Sequence, residues 1–77
     1  MLTLYVKTGC PFCAKVLTKG KDMNLEFNLK NSADEGVVEE LLSEGGKKQF
    51  PYLIDTETNI KMYESDDIID YLEETYG

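Results

Sequence analysis

The alternation of apolar runs along the chain predicts a small α/β sandwich with the element order β-α-β-α-β-β-α. One observation is a strand-like run at residues 2–7, followed by a helix-like run and a second alternating run. Because strand–helix–strand crossovers are right-handed and join parallel strands, the first two strands should be parallel. A second observation is two short apolar runs separated by turn residues, which predict an antiparallel hairpin. Together they predict a four-stranded mixed sheet with helices on both faces.

The first three elements follow from the spacing of their apolar residues. Residues 2–7 are rich in β-formers and give strand one, which we expect to be central in the sheet. Helix one is predicted from Pro11 to Lys21, since proline fits the first helical turn. Residues 25–29 carry apolar side chains at odd positions and predict a half-buried strand two. The expected inner side of helix one is Cys13, Ala14, Val16, Leu17 and Gly20.

The second helix is marked at both ends. Ser32 and Glu35 have the spacing of a capping box, in which each side chain satisfies a backbone N–H of the first turn. Gly45 and Gly46 end the helix, because glycine adopts the left-handed conformation that closes a helix. The expected inner stripe is Val37, Val38, Leu41 and Leu42.

The last three elements are a hairpin and a helix. Strands three and four are predicted at 52–55 and 60–63, with a turn at 56–59. Ser65 is expected to cap the last helix, and the acidic residues after it favour the positive end of the helix dipole. The expected inner face of this helix is Ile68, Ile69, Leu72 and Tyr76.

Length and charge narrow the classes of function. A chain of 77 residues is predicted to form one domain, residues 1–77. The balance of 8 basic against 15 acidic residues gives a net charge of −7, which disfavours nucleic acid and anionic membranes as partners. No run resembles a signal peptide or reaches transmembrane length, so we expect a cytoplasmic protein with reduced thiols. We also expect a monomer.

The two cysteines, Cys10 and Cys13, lie where strand one meets helix one. Helical positions i and i+3 have Cβ atoms roughly 5–6 Å apart, so a disulfide between them could form and open with little backbone movement. Amides at the helix N-terminus, its dipole and nearby Lys7 should stabilise a thiolate at Cys10. Cys13 should be more buried and less acidic. We therefore predict that Cys10 attacks a substrate disulfide and Cys13 resolves the mixed disulfide.

The cysteine pair has two other interpretations, a structural disulfide and a metal site. A purely structural disulfide is disfavoured, because closing so short a loop restricts the unfolded chain little. A structural metal site within one chain needs about four ligands, and the sequence has no histidine and no third cysteine. We therefore predict no metal ligand within one chain, and a metal site or iron–sulfur cluster shared between two chains, with exogenous thiols as further ligands, stays open.

Three segments resemble the glutaredoxins of the thioredoxin-fold superfamily. Residues 6–13, Val-Lys-Thr-Gly-Cys-Pro-Phe-Cys, look like the active-site segment of the family, which commonly reads Cys-Pro-Tyr-Cys. Residues 49–52 look like its cis-proline segment, with Gln-Phe in place of the usual Thr-Val. Residues 64–68 resemble its helix-start motif, with Tyr-Glu at 63–64 in place of Gly-Gly. Glutathione transferase N-terminal domains have similar Glu-Ser helix starts, but we expect this chain to lack their helical C-terminal domain.

The resemblance implies a thioredoxin-like three-layer sandwich and a thiol–disulfide oxidoreductase that reduces protein or glutathione mixed disulfides. It implies glutathione as co-substrate, no tightly bound cofactor, and disulfide-containing proteins as partners. A redoxin recharged by a flavoprotein reductase and an iron–sulfur carrier module are the alternatives. The residues that it assigns to a glutathione groove are Lys7, Phe12, Gln49, Phe50, Pro51, Ser65 and Asp66.

Within this groove the resemblance implies a cis bond before Pro51, which would bring the backbone of Phe50 beside Cys10. Ser65 and Asp66 would offer amide donors and an acidic acceptor to the two ends of a γ-glutamyl group. Plain helix capping is the alternative for both residues.

The glycyl carboxylate of glutathione is assigned by the resemblance to Lys7 and Gln49. A solvated rim is the alternative for these two residues.

Overall fold

A computed structural model describes all 77 residues and contains four strands and three helices in the predicted order. The agreement extends to the hairpin, whose two strands have the predicted bounds. The elements are β1 (Leu2–Val6), α1 (Pro11–Asp22), β2 (Phe27–Asn31), α2 (Val37–Gly45), β3 (Tyr52–Asp55), β4 (Ile60–Tyr63) and α3 (Ser65–Tyr76). None of the three helices combines the length and apolar composition that crossing a bilayer requires.

The four strands form one mixed sheet in the order β2-β1-β3-β4. β1 runs parallel to β2 and antiparallel to β3, and β3 pairs antiparallel with β4. All five residues of β1 are buried, as expected for an inner strand covered on both faces. The central position of strand one is therefore confirmed. The cysteine segment follows the C-terminal end of this inner strand.

Two hydrophobic clusters cover the two faces of the sheet. The larger one joins β1 and β3 to α1 and α3, with Val16, Ile68 and Leu72 fully buried. The smaller one joins Tyr5 and Leu41, and thus α2, to the opposite face. Each fully buried aliphatic side chain contributes roughly 1.5–3 kcal/mol to folding. The predicted three layers, with helices on both faces, are confirmed.

Three apolar positions differ from the prediction. Leu42 is 44% exposed, because α2 packs on the sheet through Val37 and Leu41, which are four residues apart, and Leu42 lies outside that line. Ala14 is exposed, because the buried stripe of α1 follows a spacing of three and four residues through Cys13, Val16 and Gly20, and Ala14 lies outside it. The second strand begins and ends two residues later than predicted, and Leu29 is 52% exposed. β2 is an edge strand, and Leu29 lies beyond the part of it that packs on the larger cluster.

The predicted capping box at Ser32 is wrong. α2 begins only at Val37, after Gly36 with φ 82°, and no side chain caps it. The cause is a competing turn, because the Asn31 Oδ1 atom accepts a hydrogen bond of 2.9 Å from the Ala33 N–H. Asparagine commonly stabilises such turns with its own side chain. The predicted end of α2 is confirmed, since Gly46 has φ 83° and donates its N–H to the Leu42 carbonyl.

The predicted cap of the last helix is also wrong by one residue. Ser65 is the first residue of α3 and is buried, and the cap position belongs to Glu64. Glu64 is the single residue between β4 and α3, and it has φ 71° and ψ 118°. A one-residue connection leaves the whole change of chain direction to Glu64, which explains its unusual backbone.

Candidate active site

The strand-to-helix junction places the first cysteine at the N-terminus of α1. Cys10 is the N-cap residue, with an extended backbone, and Pro11 begins the helix. The Cys10 Sγ atom accepts a hydrogen bond of 3.2 Å from the Cys13 N–H. Both cysteines are free thiols, Cys10 half-buried and Cys13 only 2% exposed. The predicted positions of the two thiols on the helix are confirmed.

The surroundings of Cys10 favour its thiolate. Partial burial acts to raise its pKa, but hydrogen bonds to the sulfur from Cys13 and from the Phe12 N–H outweigh burial, and the charge of Lys7 acts in the same direction. The net effect lowers the pKa of Cys10 below that of an ordinary cysteine. A thiolate is the nucleophilic form of cysteine, so Cys10 is suited to attack.

Cys13 has the opposite character. Burial, followed by the hydrogen bond to Cys10 and the charge of Cys10, raises the pKa of Cys13 to about 11. Its proton is therefore held while Cys10 is a thiolate. Two of these causes depend on charge at Cys10, so the pKa of Cys13 should fall once Cys10 enters a disulfide.

A groove of about 290 Å³ lies beside this helix start. We call it the Phe50 groove. Six of the seven predicted groove residues line it, although they come from three separate parts of the chain. Lys7 is the predicted residue that does not line it, and its effect reaches the site through its charge on Cys10. The lining residues are Phe12, Gln49, Phe50, Pro51, Glu64, Ser65 and Asp66.

The floor of the Phe50 groove is the start of β3. The bond between Phe50 and Pro51 is cis, as the resemblance implies, and Pro51 is buried. Phe50 packs against both hydrophobic clusters. Phe12, from the first turn of α1, is 58% exposed and forms an apolar part of the lining. An exposed aromatic beside a nucleophile provides a contact surface for an incoming molecule.

The remaining lining residues are held by polar contacts. The Gln49 Nε2 atom donates a hydrogen bond of 2.8 Å to Glu64 Oε1. The Asp66 Oδ1 atom lies 2.8 Å from the Lys15 Nζ atom. Ser65 is buried at the first turn of α3, where backbone N–H groups lack helical partners.

Glu64 is the groove residue that the sequence prediction did not assign. Backbone strain at a non-glycine residue often accompanies functional sites, and φ 71° at Glu64 is such a case. The strain depends on the short β4–α3 connection, which no local pattern reveals. The only sequence signal for Glu64 was its place in the segment 64–68, which resembles a helix-start motif.

The two thiols have no further ligands around them for a metal site. No group of three or more His, Cys, Asp or Glu side chains is arranged to hold a metal ion. A cluster bound by Cys10 and Cys13 would therefore need ligands from outside the chain.

Glutathione transferases are among the known proteins that are similar to this chain. A family model described as "Glutathione S-transferase, N-terminal domain" matches residues 4–77. A glutathione S-transferase from the Antarctic clam Laternula elliptica is 31% identical, with a TM-score of 0.82, over 97% of this chain and 35% of its own. An epsilon-class enzyme from the housefly Musca domestica is 29% identical, with a TM-score of 0.83, over 100% of this chain and 36% of its own.

A third similar structure is the glutathione transferase URE2P6 from Phanerochaete chrysosporium, determined in complex with oxidized glutathione. It is 29% identical, with a TM-score of 0.81, over 97% of this chain and 36% of its own. The chain thus spans about a third of the length of these proteins. No curated protein matches it. The predicted thioredoxin-like fold is confirmed, whereas the narrower glutaredoxin assignment stays a prediction.

Proposed function

The chain belongs to the family of glutathione S-transferase N-terminal domains, and we propose from this premise that it binds glutathione and uses Cys10 for thiol–disulfide exchange. The observation that carries the proposal is the Cys10 sulfur at the N-terminus of α1, with its lowered pKa, in the same helix start as Phe12, which lines the Phe50 groove. A dithiol with one acidic and one protonated sulfur is suited to two successive exchange steps.

Glutathione would lie along the groove with its sulfur towards Cys10. The backbone N–H groups at the start of α3, around Ser65, suit the α-carboxylate of a γ-glutamyl group, and Asp66 suits its ammonium. The cysteinyl backbone would meet the segment Phe50–Pro51, and the glycyl carboxylate would meet Gln49 and Lys7. These placements rest on the lining of the groove and on the family of the chain. The placement of Lys7 rests on the resemblance alone, since Lys7 does not line the groove.

The exchange itself balances without a cofactor. The Cys10 thiolate attacks the glutathione sulfur of a protein–glutathione mixed disulfide, and the protein thiolate leaves and takes a proton from solvent. A second glutathione thiolate then attacks the glutathione sulfur bound to Cys10. Glutathione disulfide leaves, and Cys10 is regenerated as a thiolate. Each turnover consumes one reduced glutathione, whose thiolate supplies the electron pair that ends on the protein sulfur, and the other half of the glutathione disulfide comes from the substrate.

Cys13 offers a second route from the same intermediate. With Cys10 in a disulfide, the neighbouring negative charge is absent and the Cys13 thiol can lose its proton more easily. Its thiolate then attacks Cys10 Sγ, glutathione leaves, and an internal disulfide remains. Glutathione or a flavoprotein reductase would recharge this disulfide, and disulfide-containing proteins would be the substrates of either route.

The second candidate function is transfer of glutathione to an electrophile, which the family of the chain favours. Conjugation needs a glutathione thiolate in the groove, and the negative charge of the Cys10 thiolate would repel it and disfavour its ionisation. We therefore favour exchange. Comparing turnover of a glutathione mixed disulfide with turnover of an electrophilic aryl halide separates the two functions.

The test of the exchange mechanism uses two single variants. Cys10→Ser should abolish reduction of a glutathione mixed disulfide, because no other thiolate faces the substrate. Cys13→Ser should retain part of the activity, since the second glutathione can release the first. Equal loss of activity in both variants would rule out a mechanism in which Cys10 reacts without Cys13.

A further inference from the structure

We propose that Lys15 sets the preference of the Phe50 groove for ligands with an ammonium group, by competing with that group for Asp66. This inference rests on the proposed function, because Asp66 is the residue proposed to receive the ammonium of glutathione. Its basis is the 2.8 Å ion pair between Lys15 Nζ and Asp66 Oδ1. A cation from the protein itself thus contacts the carboxylate that would bind the ligand.

The geometry makes the two cations competitors. Asp66 lies in the first turn of α3 and lines the groove. Lys15 comes from the second turn of α1 and reaches the same carboxylate without lining the groove. Lys15 therefore acts on the ligand through Asp66, and its role is to position and neutralise that carboxylate.

The size of the effect follows from exposure. The side chains of Lys15 and Asp66 are 49% and 82% exposed, so the pair is weak. Exposed pairs of this kind change an equilibrium by about fivefold at most. Removing the charge of Lys15 should thus strengthen the binding of an ammonium-bearing ligand by about two- to fivefold, and should not strengthen the binding of a ligand without ammonium.

The chain supplies a matched control. Lys19 lies one turn further along α1 and forms an ion pair with Glu73 of α3, also at 2.8 Å. Glu73 does not line the groove. Lys15→Met and Lys19→Met each remove one lysine charge and one α1–α3 ion pair, so they share the change in net charge and the loss of one contact between the two helices. They differ in whether a groove residue loses its partner.

The experiment measures dissociation constants by calorimetry for two unreactive probes. One is S-methylglutathione, and the other is the same compound without its α-amino group. We expect Lys15→Met to bind S-methylglutathione about two- to fivefold more tightly than Lys19→Met does, and to bind the deaminated probe no more tightly than Lys19→Met does. In an Asp66→Asn background, Lys15→Met should have no further effect. The reactivity of Cys10 should be the same in both lysine variants.

Three results would overturn the proposal in distinguishable ways. Equal binding of S-methylglutathione by both lysine variants would show that Lys15 does not compete for Asp66. Weaker binding in Lys15→Met would assign Lys15 a direct contact with the ligand instead. No binding of S-methylglutathione by the unmodified protein would refute the proposed function, and with it the inference.

Discussion

Glu64 is predicted to be a residue at which stability and ligand binding conflict. Its backbone, with φ 71° and ψ 118°, is unfavourable for a residue with a Cβ atom. Such a conformation costs on the order of 1–3 kcal/mol, and glycine avoids this cost while losing about 0.5–1 kcal/mol of backbone entropy. Glu64→Gly should therefore increase the free energy of unfolding by about 1 kcal/mol. In a domain of this size that raises the Tm by about 4–8 °C.

The control for this substitution is Glu64→Ala. Alanine also removes the carboxylate that accepts the hydrogen bond from Gln49, but it keeps the Cβ atom and thus the strain. The difference in unfolding free energy between the glycine and alanine variants, measured by urea denaturation, isolates the backbone term. If the free energy of unfolding of Glu64→Gly is no greater than that of Glu64→Ala, the backbone conformation at this position does not destabilise the folded protein, and the prediction is wrong.

The same two variants test the role of Glu64 in the groove. Both lose the carboxylate that holds Gln49, so both should bind glutathione more weakly, whatever their stability. Glu64→Gly should be the weaker binder, because a relaxed connection no longer fixes the first turn of α3. A glycine variant that is more stable and binds as well as the unmodified protein would contradict this role.

Two further predictions concern pH. The thiolate absorbance of Cys10 should titrate below the ordinary cysteine value of about 8.5, because hydrogen bonds outweigh its partial burial. Cys13→Ala should move the midpoint upward, and an unchanged midpoint would exclude the Cys13 side chain as a cause. At Asp55, burial is outweighed by hydrogen bonds from Tyr71, Tyr76 and the Glu57 N–H, which lower its pKa. Its stabilisation is therefore present above about pH 3.9 and is lost as the pH falls towards the lower folded value. Acid-unfolding curves should show this loss in the unmodified protein and not in Asp55→Asn, which should also be about 2 kcal/mol less stable at neutral pH.

The site could be predicted in part because its chemistry is local. Cys10, Pro11 and Cys13 lie within one turn of helix, and their order alone places one sulfur at the helix N-terminus and the other inside. The helix dipole and free amides act over that same distance. The opposite acidities of the two thiols were therefore accessible from the sequence, and the structure bears them out.

The family was harder to predict than the fold. The Cys-Pro-Phe-Cys segment resembles glutaredoxins, whereas the Glu64–Ser65 helix start resembles glutathione transferases, and the family model matches the latter over most of the chain. A short motif determines which of the two thiols is the more acidic. The residues that line the groove come from distant parts of the domain, so a single short motif indicates the family only weakly.

By itself, the sequence determined what acts over a few residues or through periodic burial. The element order, the inner position of β1 and the two thiol environments follow from apolar spacing and from the strand-to-helix junction. Local signals failed where two of them competed. The turn formed by Asn31 displaced the capping box that was expected at Ser32.

Only the tertiary structure decided how distant residues meet. The Phe50 groove joins the start of α1, the start of β3 and the start of α3, which come together because β1 and β3 are neighbours under the same pair of helices. The strain at Glu64 and the ion pair between Lys15 and Asp66 exist because of this packing. No local pattern encodes either one, since each depends on the distance and direction between elements that are far apart in the chain.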